Sequence, residues 1–207
     1  MTIDDIKSVV ESFKAAALRA FKADYDAIEI HAAHGYLIHQ FLSPITNHRD
    51  DEYGGSLVNR VRFLRDILTQ VHEVWPNDRP IILRISASDY VKDGIDVYMM
   101  RDIVNQIKDL IDILHVSSGG LVLAPINLFP GYQVKFAEYL KEETGLPTIA
   151  VGLITNIEQV EEIIGNNRAD LVALGRELLR NPNWVLNHAN SYGVKIQYPP
   201  QYIRGYN

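Results

Sequence analysis

Ala27-Ile28-Glu29-Ile30-His31-Ala32-Ala33-His34-Gly35-Tyr36-Leu37 is the stretch on which the reading of the fold turns. Its first five residues alternate, and a period of two puts Ile28 and Ile30 on one face and Glu29 and His31 on the other. Gly35 ends that pattern. The spacing predicts a strand whose polar face ends on His31 and runs into a loop bearing His34 and Tyr36. Three hydrogen-bonding side chains then gather at the carboxyl end of one strand, where α/β proteins hold their chemistry. A lone histidine on a strand is more often a packed side chain with one satisfied nitrogen than an acid or base. Two of them three apart, with a tyrosine two further on, favour a site. Zinc ligation by His31, His34 and His39 is the competing reading. It lacks both the helical spacing and the cysteine pairs of zinc sites, so no metal is expected.

Outward from this stretch the chain alternates. Thr2-Ile3-Asp4-Asp5 matches a capping box, and Ile6, Val10, Phe13, Ala17 and Phe21 recur at helical spacing, which predicts an amphipathic helix ending near Lys22. Beyond Tyr36 the segment through Ser43-Pro44, Asn47 and Gly54-Gly55-Ser56 is polar and turn-rich and reads as a long active-site loop. A helix then begins at Asn59, carries Phe63, Leu64, Ile67, Leu68, Val71 and Val74, and stops at Trp75-Pro76-Asn77-Asp78. Further strands are predicted at residues 80–86, 113–117, 147–151 and 169–174, with helices at 97–110, 136–144 and 157–164 between them. Short helices at about 177–180 and 184–192 precede an irregular aromatic tail, 193–207. Within the strand at 80–86, Ile82, Arg84 and Ser86 share a face. A guanidinium there is costly to desolvate unless it meets an anion or a ligand acceptor, which favours a functional role for Arg84.

Strict alternation of strands and helices, with near-continuous apolar strands, means a parallel sheet. It is either an open doubly wound sheet or a (β/α) barrel, and the glycines separate the two. A dinucleotide fold carries a Gly-rich turn after its first strand, and no G-x-G-x-x-G occurs here. Instead Gly152 and Gly175-Arg176 follow the last two strands, where a barrel builds its phosphate site. Glycine lets backbone N–H groups approach a phosphate, and arginine can bind it bidentately. On that alignment the five strands are strands four to eight of a (β/α)8 TIM barrel, and residues 1–207 form a single partial barrel domain. Interior-facing residues such as Ile82 and Val172 are expected to lie uncovered, and both sheet edges to be open. Self-association, in a homo-oligomer, is the expected consequence.

Composition bounds the rest. A hydrophobic content of 47% over 207 residues is ample for a packed core. A formal charge of −6 argues against nucleic acid or an anionic membrane surface as partner, which leaves a small-molecule substrate. The absence of cysteine removes disulfides, thiolate metal ligands and a thiol nucleophile. The acidic amino terminus lacks the basic start and apolar core of a signal peptide, and no apolar run approaches the ~18 residues of a membrane span, so a cytoplasmic location is expected.

Several motifs, in order and spacing, resemble the old yellow enzymes, flavin-dependent ene-reductases, in the bacterial NADPH dehydrogenase and xenobiotic reductase branch. They are Ile28-Glu29-Ile30-His31-Ala32-Ala33-His34-Gly35-Tyr36-Leu37, Gln40-Phe41-Leu42-Ser43-Pro44 with Asn47 and Arg49, Asp51-Glu52-Tyr53-Gly54-Gly55-Ser56 and Asn59-Arg60. Arg84-Ile85-Ser86, Val151-Gly152-Leu153-Ile154, Asp170-Leu171-Val172, Gly175-Arg176 and Gln201-Tyr202-Ile203-Arg204-Gly205 continue the match. The resemblance implies FMN at the carboxyl-terminal mouth of a barrel, reduced by NADPH or NADH and reoxidised by an activated alkene. It implies that His31 and His34 bind the carbonyl or nitro oxygen of the substrate and that Tyr36 donates the proton. It places Arg84 beside the flavin pyrimidine ring and Gly152, Gly175 and Arg176 at the FMN phosphate. Arg204 is similar to a tail residue that reaches a neighbouring subunit's active site. The family's first three strands have no counterpart in these residues, nor has the cysteine with which this branch often tunes its flavin. The alternative is therefore a barrel fragment that retains no flavin and has no turnover.

Overall fold

The computed structural model describes residues 1–205; Tyr206 and Asn207, the end of the tail, lie outside the described residues. Helix α1 (Ile3–Lys22) starts at Thr2, whose hydroxyl accepts from the Asp5 amide while the Asp5 carboxylate accepts from the Thr2 amide. That reciprocal cap satisfies two of the amide groups a helix start leaves open. The sheet is all parallel and its strands lie side by side in chain order: β1 (Ile28–Ala32), β2 (Ile81–Ser86), β3 (Ile113–Ser117), β4 (Thr148–Ala150) and β5 (Leu171–Val172). A doubly wound sheet reverses its order at a switch point. This one does not, as one wall of a (β/α) barrel requires.

Helices α3 (Leu57–His72), α4 (Val97–Asn105), α5 (Val134–Thr144) and α6 (Ile157–Gly165) follow β1 to β4 in turn. Two shorter ones, α7 (Arg176–Arg180) and α8 (Trp184–Ser191), come after β5. Register fixes the two faces of the sheet. Ala32, Ile85, Val116, Ala150 and Val172 form one row across all five strands. The first four of these are fully buried in one core with Phe63, Leu64, Ile67 and Leu68. The other face carries the row His31, Arg84, His115, Ile149 and Leu171. This concave face is the polar one. A parallel sheet with a polar row in mid-wall is unusual, because such strands are ordinarily apolar on both faces.

The row assignments correct one expectation. Val172 packs against the core on the helix side, and Leu171, 49% exposed, is the residue that faces the concave side. Two bonds set this parity: the Asp170 amide donates to Thr148 and the Ala173 amide to Ala150, which leaves only Leu171 and Val172 in the ladder. Ile82 is half-buried on the concave side. The predicted long loop after Tyr36 also differs, since it opens with a helix, α2 (Leu37–Leu42). Among the described residues no helix is long and apolar enough to cross a membrane.

Candidate active site

The site is built where β1 and β2 end. His31 and Arg84 are register partners on adjacent strands and share the concave side. The chain then turns at His34 (φ 56°) and Gly35 (φ 77°), both left-handed. His34 tolerates that conformation because the turn is bonded on all sides. Its amide donates to Ser86 Oγ (3.0 Å), Ser86 in turn donates to the Gly119 carbonyl (2.8 Å), and the Gly35 amide donates to His39 Nδ1 (3.1 Å). Space is the second constraint: a Cβ on Gly120 would stand 2.8 Å from His34 Cα, and one on Gly35 would stand 2.5 Å from the Gly120 carbonyl oxygen. Only glycine fits at either place. The result brings three rings together. Those of His34 and Tyr36 each lie 5.3 Å from that of His31, and Tyr36, 63% exposed at the start of α2, faces outward.

Electrostatics keep the imidazoles neutral. Burial, then the Arg84 charge and the His31 ring, push His34 down to about 4. Burial and Arg84 also lower His31, against an opposing pull from Glu29. Burial works to raise the Glu29 carboxyl, but the His115 hydrogen bond and charge, with Arg84 and His31, hold it below its ordinary value. Glu29 Oε2 stands 2.7 Å from His115 Nδ1 across the concave face. A neutral imidazole at neutral pH is an N–H donor on one nitrogen and an acceptor on the other.

At the far end of the same rim, Gly152, Gly175 and Arg176 line one cleft of about 220 Å³ together with Gln133 and Arg180. Gly152 has φ 134°, and a Cβ there would meet Gln133 Nε2 at 3.0 Å. The two ends are joined by side chains. His34 Nε2 lies 2.8 Å from Ser117 Oγ, Ser117 and Ser118 both reach Gln133 Oε1, and Gln133 Nε2 donates to the Val151 carbonyl (3.0 Å), next to Gly152.

Residues 1–191 match the NADH:flavin oxidoreductase / NADH oxidase family. The chain belongs to that family. It is 59% identical, over its whole length, to the NADPH dehydrogenase of Clostridium acetobutylicum, and 54% identical to that of Geobacillus thermodenitrificans. It spans 61% and 60% of the length of these relatives. The old yellow enzyme homologue from Zymomonas mobilis superposes with a TM-score of 0.75 at 26% identity, over 95% of this chain and 55% of that one. The resemblance to the old yellow enzymes and the partial barrel are both borne out.

The flavin of an FMN oxidoreductase needs a cation, an anion cradle and bare backbone, and the residues present fit it. Arg84 Nε is buried with no partner among the described residues, as a donor awaiting a ligand acceptor would be. Arg176 supplies positive charge in the cleft beside Gly152 and Gly175, where Arg180 is already paired with Glu177 at 2.6 Å.

Four members of the supporting shell escape sequence reasoning: Asp89, His115, Ser117 and Gln133. His39 entered it only as a metal ligand, yet it is fully buried, its Nδ1 accepts from Gly35, and its Nε2 stands 2.9 Å from Asp89 Oδ1, so neither nitrogen is free for a metal. Asp89 also accepts from Ser43 Oγ (2.7 Å) and from the Ile95 amide (2.8 Å). The signal for His115 and Ser117 was strand parity, which puts both on the face of Arg84 and Ser86. Gln133 sits at the start of a helix and carries no such signal. Arg204 is exposed on a 3-10 turn (Ile203–Gly205), and no contact joins it to the other site residues described.

Proposed function

We propose that the chain carries the substrate-binding and phosphate-end machinery of an FMN-dependent, NADPH-oxidising ene-reductase acting on activated C=C bonds of α,β-unsaturated carbonyl or nitro compounds. The observation that carries the reading is the grouping of His31, His34 and Tyr36 at 5.3 Å ring separations beside Arg84. Bound FMN, re-reduced by NADPH or NADH, would supply the hydride. As negative charge builds on the substrate's carbonyl or nitro oxygen, imidazole N–H groups of His31 and His34 donate to it, and the half-buried setting strengthens those bonds. Tyr36 then gives its phenolic proton to the α-carbon. Arg84 places a fixed positive charge where anionic character gathers on the same face. Gly152, Gly175 and Arg176 hold the phosphate. A cytosolic setting and a homo-oligomer go with this reading, the exposed Arg204 being free to meet a neighbouring subunit.

The test is a titration of the chain with FMN, followed by anaerobic NADPH oxidation in the presence of a cyclic enone. Saturable flavin binding and enone-dependent turnover support the reading, and Tyr36→Phe should then lower turnover by about 10²–10⁴ while leaving flavin bound. Unchanged turnover in Tyr36→Phe would remove the tyrosine from its role. A second reading, a barrel wall that retains no flavin by itself, is favoured by the open sides of β1 and β5 and the exposed Leu171. No flavin uptake at any concentration would select it.

A further inference from the structure

His34 can donate to a substrate oxygen only through a nitrogen that carries a proton and is not already engaged. Its Nε2 is engaged, 2.8 Å from Ser117 Oγ, and its Nδ1 has no partner among the described residues. Which nitrogen holds the single proton of the neutral ring is decided by what Ser117 does with its own. Ser117 has one hydroxyl proton and two acceptors in reach: His34 Nε2 at 2.8 Å and Gln133 Oε1 at 3.2 Å. The amide orientation of Gln133 is set, because its Nε2 donates to the Val151 carbonyl. Its Oε1 already takes a short bond, 2.6 Å, from Ser118, whose own oxygen is then left to accept from the Tyr90 hydroxyl at 2.8 Å. Gln133 is 3% exposed and Ser117 and Ser118 are buried, so water is not the competitor for these groups. The shorter and otherwise unmet contact is the one to His34.

We propose that Ser117 donates its hydroxyl proton to His34 Nε2 and thereby fixes the neutral ring as the Nδ1–H tautomer, which makes Ser117 a positioning residue for carbonyl recognition. If Ser117 instead gave its proton to Gln133, His34 would have to donate Nε2–H to Ser117. Its free Nδ1 would then present a lone pair to an incoming oxygen, and repel it. A serine two strands away from His31 therefore determines whether the second imidazole attracts or rejects the substrate. The inference deepens the ene-reductase reading and rests on it for its purpose, though not for its geometry.

The experiment needs neither flavin nor substrate. The chain is labelled with ¹⁵N-histidine, and two-bond ¹⁵N–¹H correlations are recorded at pH 7, with the His34 signals assigned by their absence in His34→Gln. The expected result is a pyridine-type Nε2 and a protonated Nδ1 for His34 in the native chain. Ser117→Ala should move the balance toward Nε2–H, and Ser117→Thr, which keeps the hydroxyl, should restore Nδ1–H. Nε2–H as the main form in the native chain would overturn the assignment without recourse to any variant, and so would an Nδ1–H form indifferent to Ser117→Ala. Should the tautomer behave as expected in a chain with no enone turnover, the assignment is supported and only the functional reading falls.

Discussion

His34 is the residue at which burial, charge and hydrogen bonding all meet. Its ring is pushed down to about 4 by burial first and by the Arg84 charge second, so it stays neutral through the physiological range. Arg84→Met should raise the His34 midpoint in a histidine NMR titration, but not back to 6.5, because burial is the larger cause and survives the change. A midpoint unmoved by that substitution would show that the guanidinium does not face the ring. The same shift links to stability. An unfolded His34 binds its proton near 6.5 and the folded one near 4, so the folded state binds fewer protons between those values. Its contribution to stability is complete above pH 6.5 and is lost as pH falls toward 4. The stability of the native chain relative to that of His34→Gln should therefore fall as pH is lowered through that window. A relative stability that rises instead would reverse the sign of the shift.

Helix α2 is the element that makes the site possible, and the sequence showed it least. Its six residues are too few to display a 3.6-residue period, and Tyr36 at its start makes no side-chain cap. What holds it is tertiary: Ile38, His39, Phe41 and Leu42 are all buried, and His39 and Ser43 converge on Asp89 in the connection after β2. Burial works to raise the Asp89 carboxyl, yet His39, the Ile95 amide and Ser43 keep it below its ordinary value. Asp89→Ala leaves a buried His39 and a buried amide without their acceptor, and should cost about 1–3 kcal/mol for each in urea unfolding. A loss below about 1 kcal/mol would mean that water enters and replaces the carboxylate. Longer elements were legible because each carried its own signal. Thr2 announced its helix by a capping box, and the alternation of residues 80–86 gave both faces of β2 and singled out Arg84. β4 and β5 came out shorter than their apolar runs suggest, because a residue counts in a ladder only where a neighbour is present to pair with it, and β5 has a neighbour on one side alone. Likewise His31 and Arg84 could be placed by parity, whereas the links through Ser117, Gln133 and Asp89 join segments far apart in sequence and needed the fold.

At the scale of the molecule, five parallel strands make a wall with two open sides. The ladder groups of β1 and β5 that point away from their single neighbours have no partner strand among the described residues and can pair with any strand that approaches. Beside β1 an apolar groove of about 380 Å³, lined by Phe13, Ala17, Tyr25 and Ile28 among others, runs down to the strand. At the other side Leu171 is 49% exposed on the concave face. Burying apolar surface stabilises by roughly 25 cal/mol per Å², so a few large side chains left in water forfeit several kcal/mol of a total that is only ~5–15 for a domain. Association that covers both sides recovers part of that loss. Light scattering over a concentration series reaching tens of micromolar should therefore give a mass above that of one chain and rising with concentration. Leu171→Glu, which places a charge on the open edge without touching the His31 end of the sheet, should lower that mass. A chain that stays at single-chain mass throughout, binds no hydrophobic dye and takes up FMN tightly would show that the open wall is stable by itself, and that neither edge needs a partner.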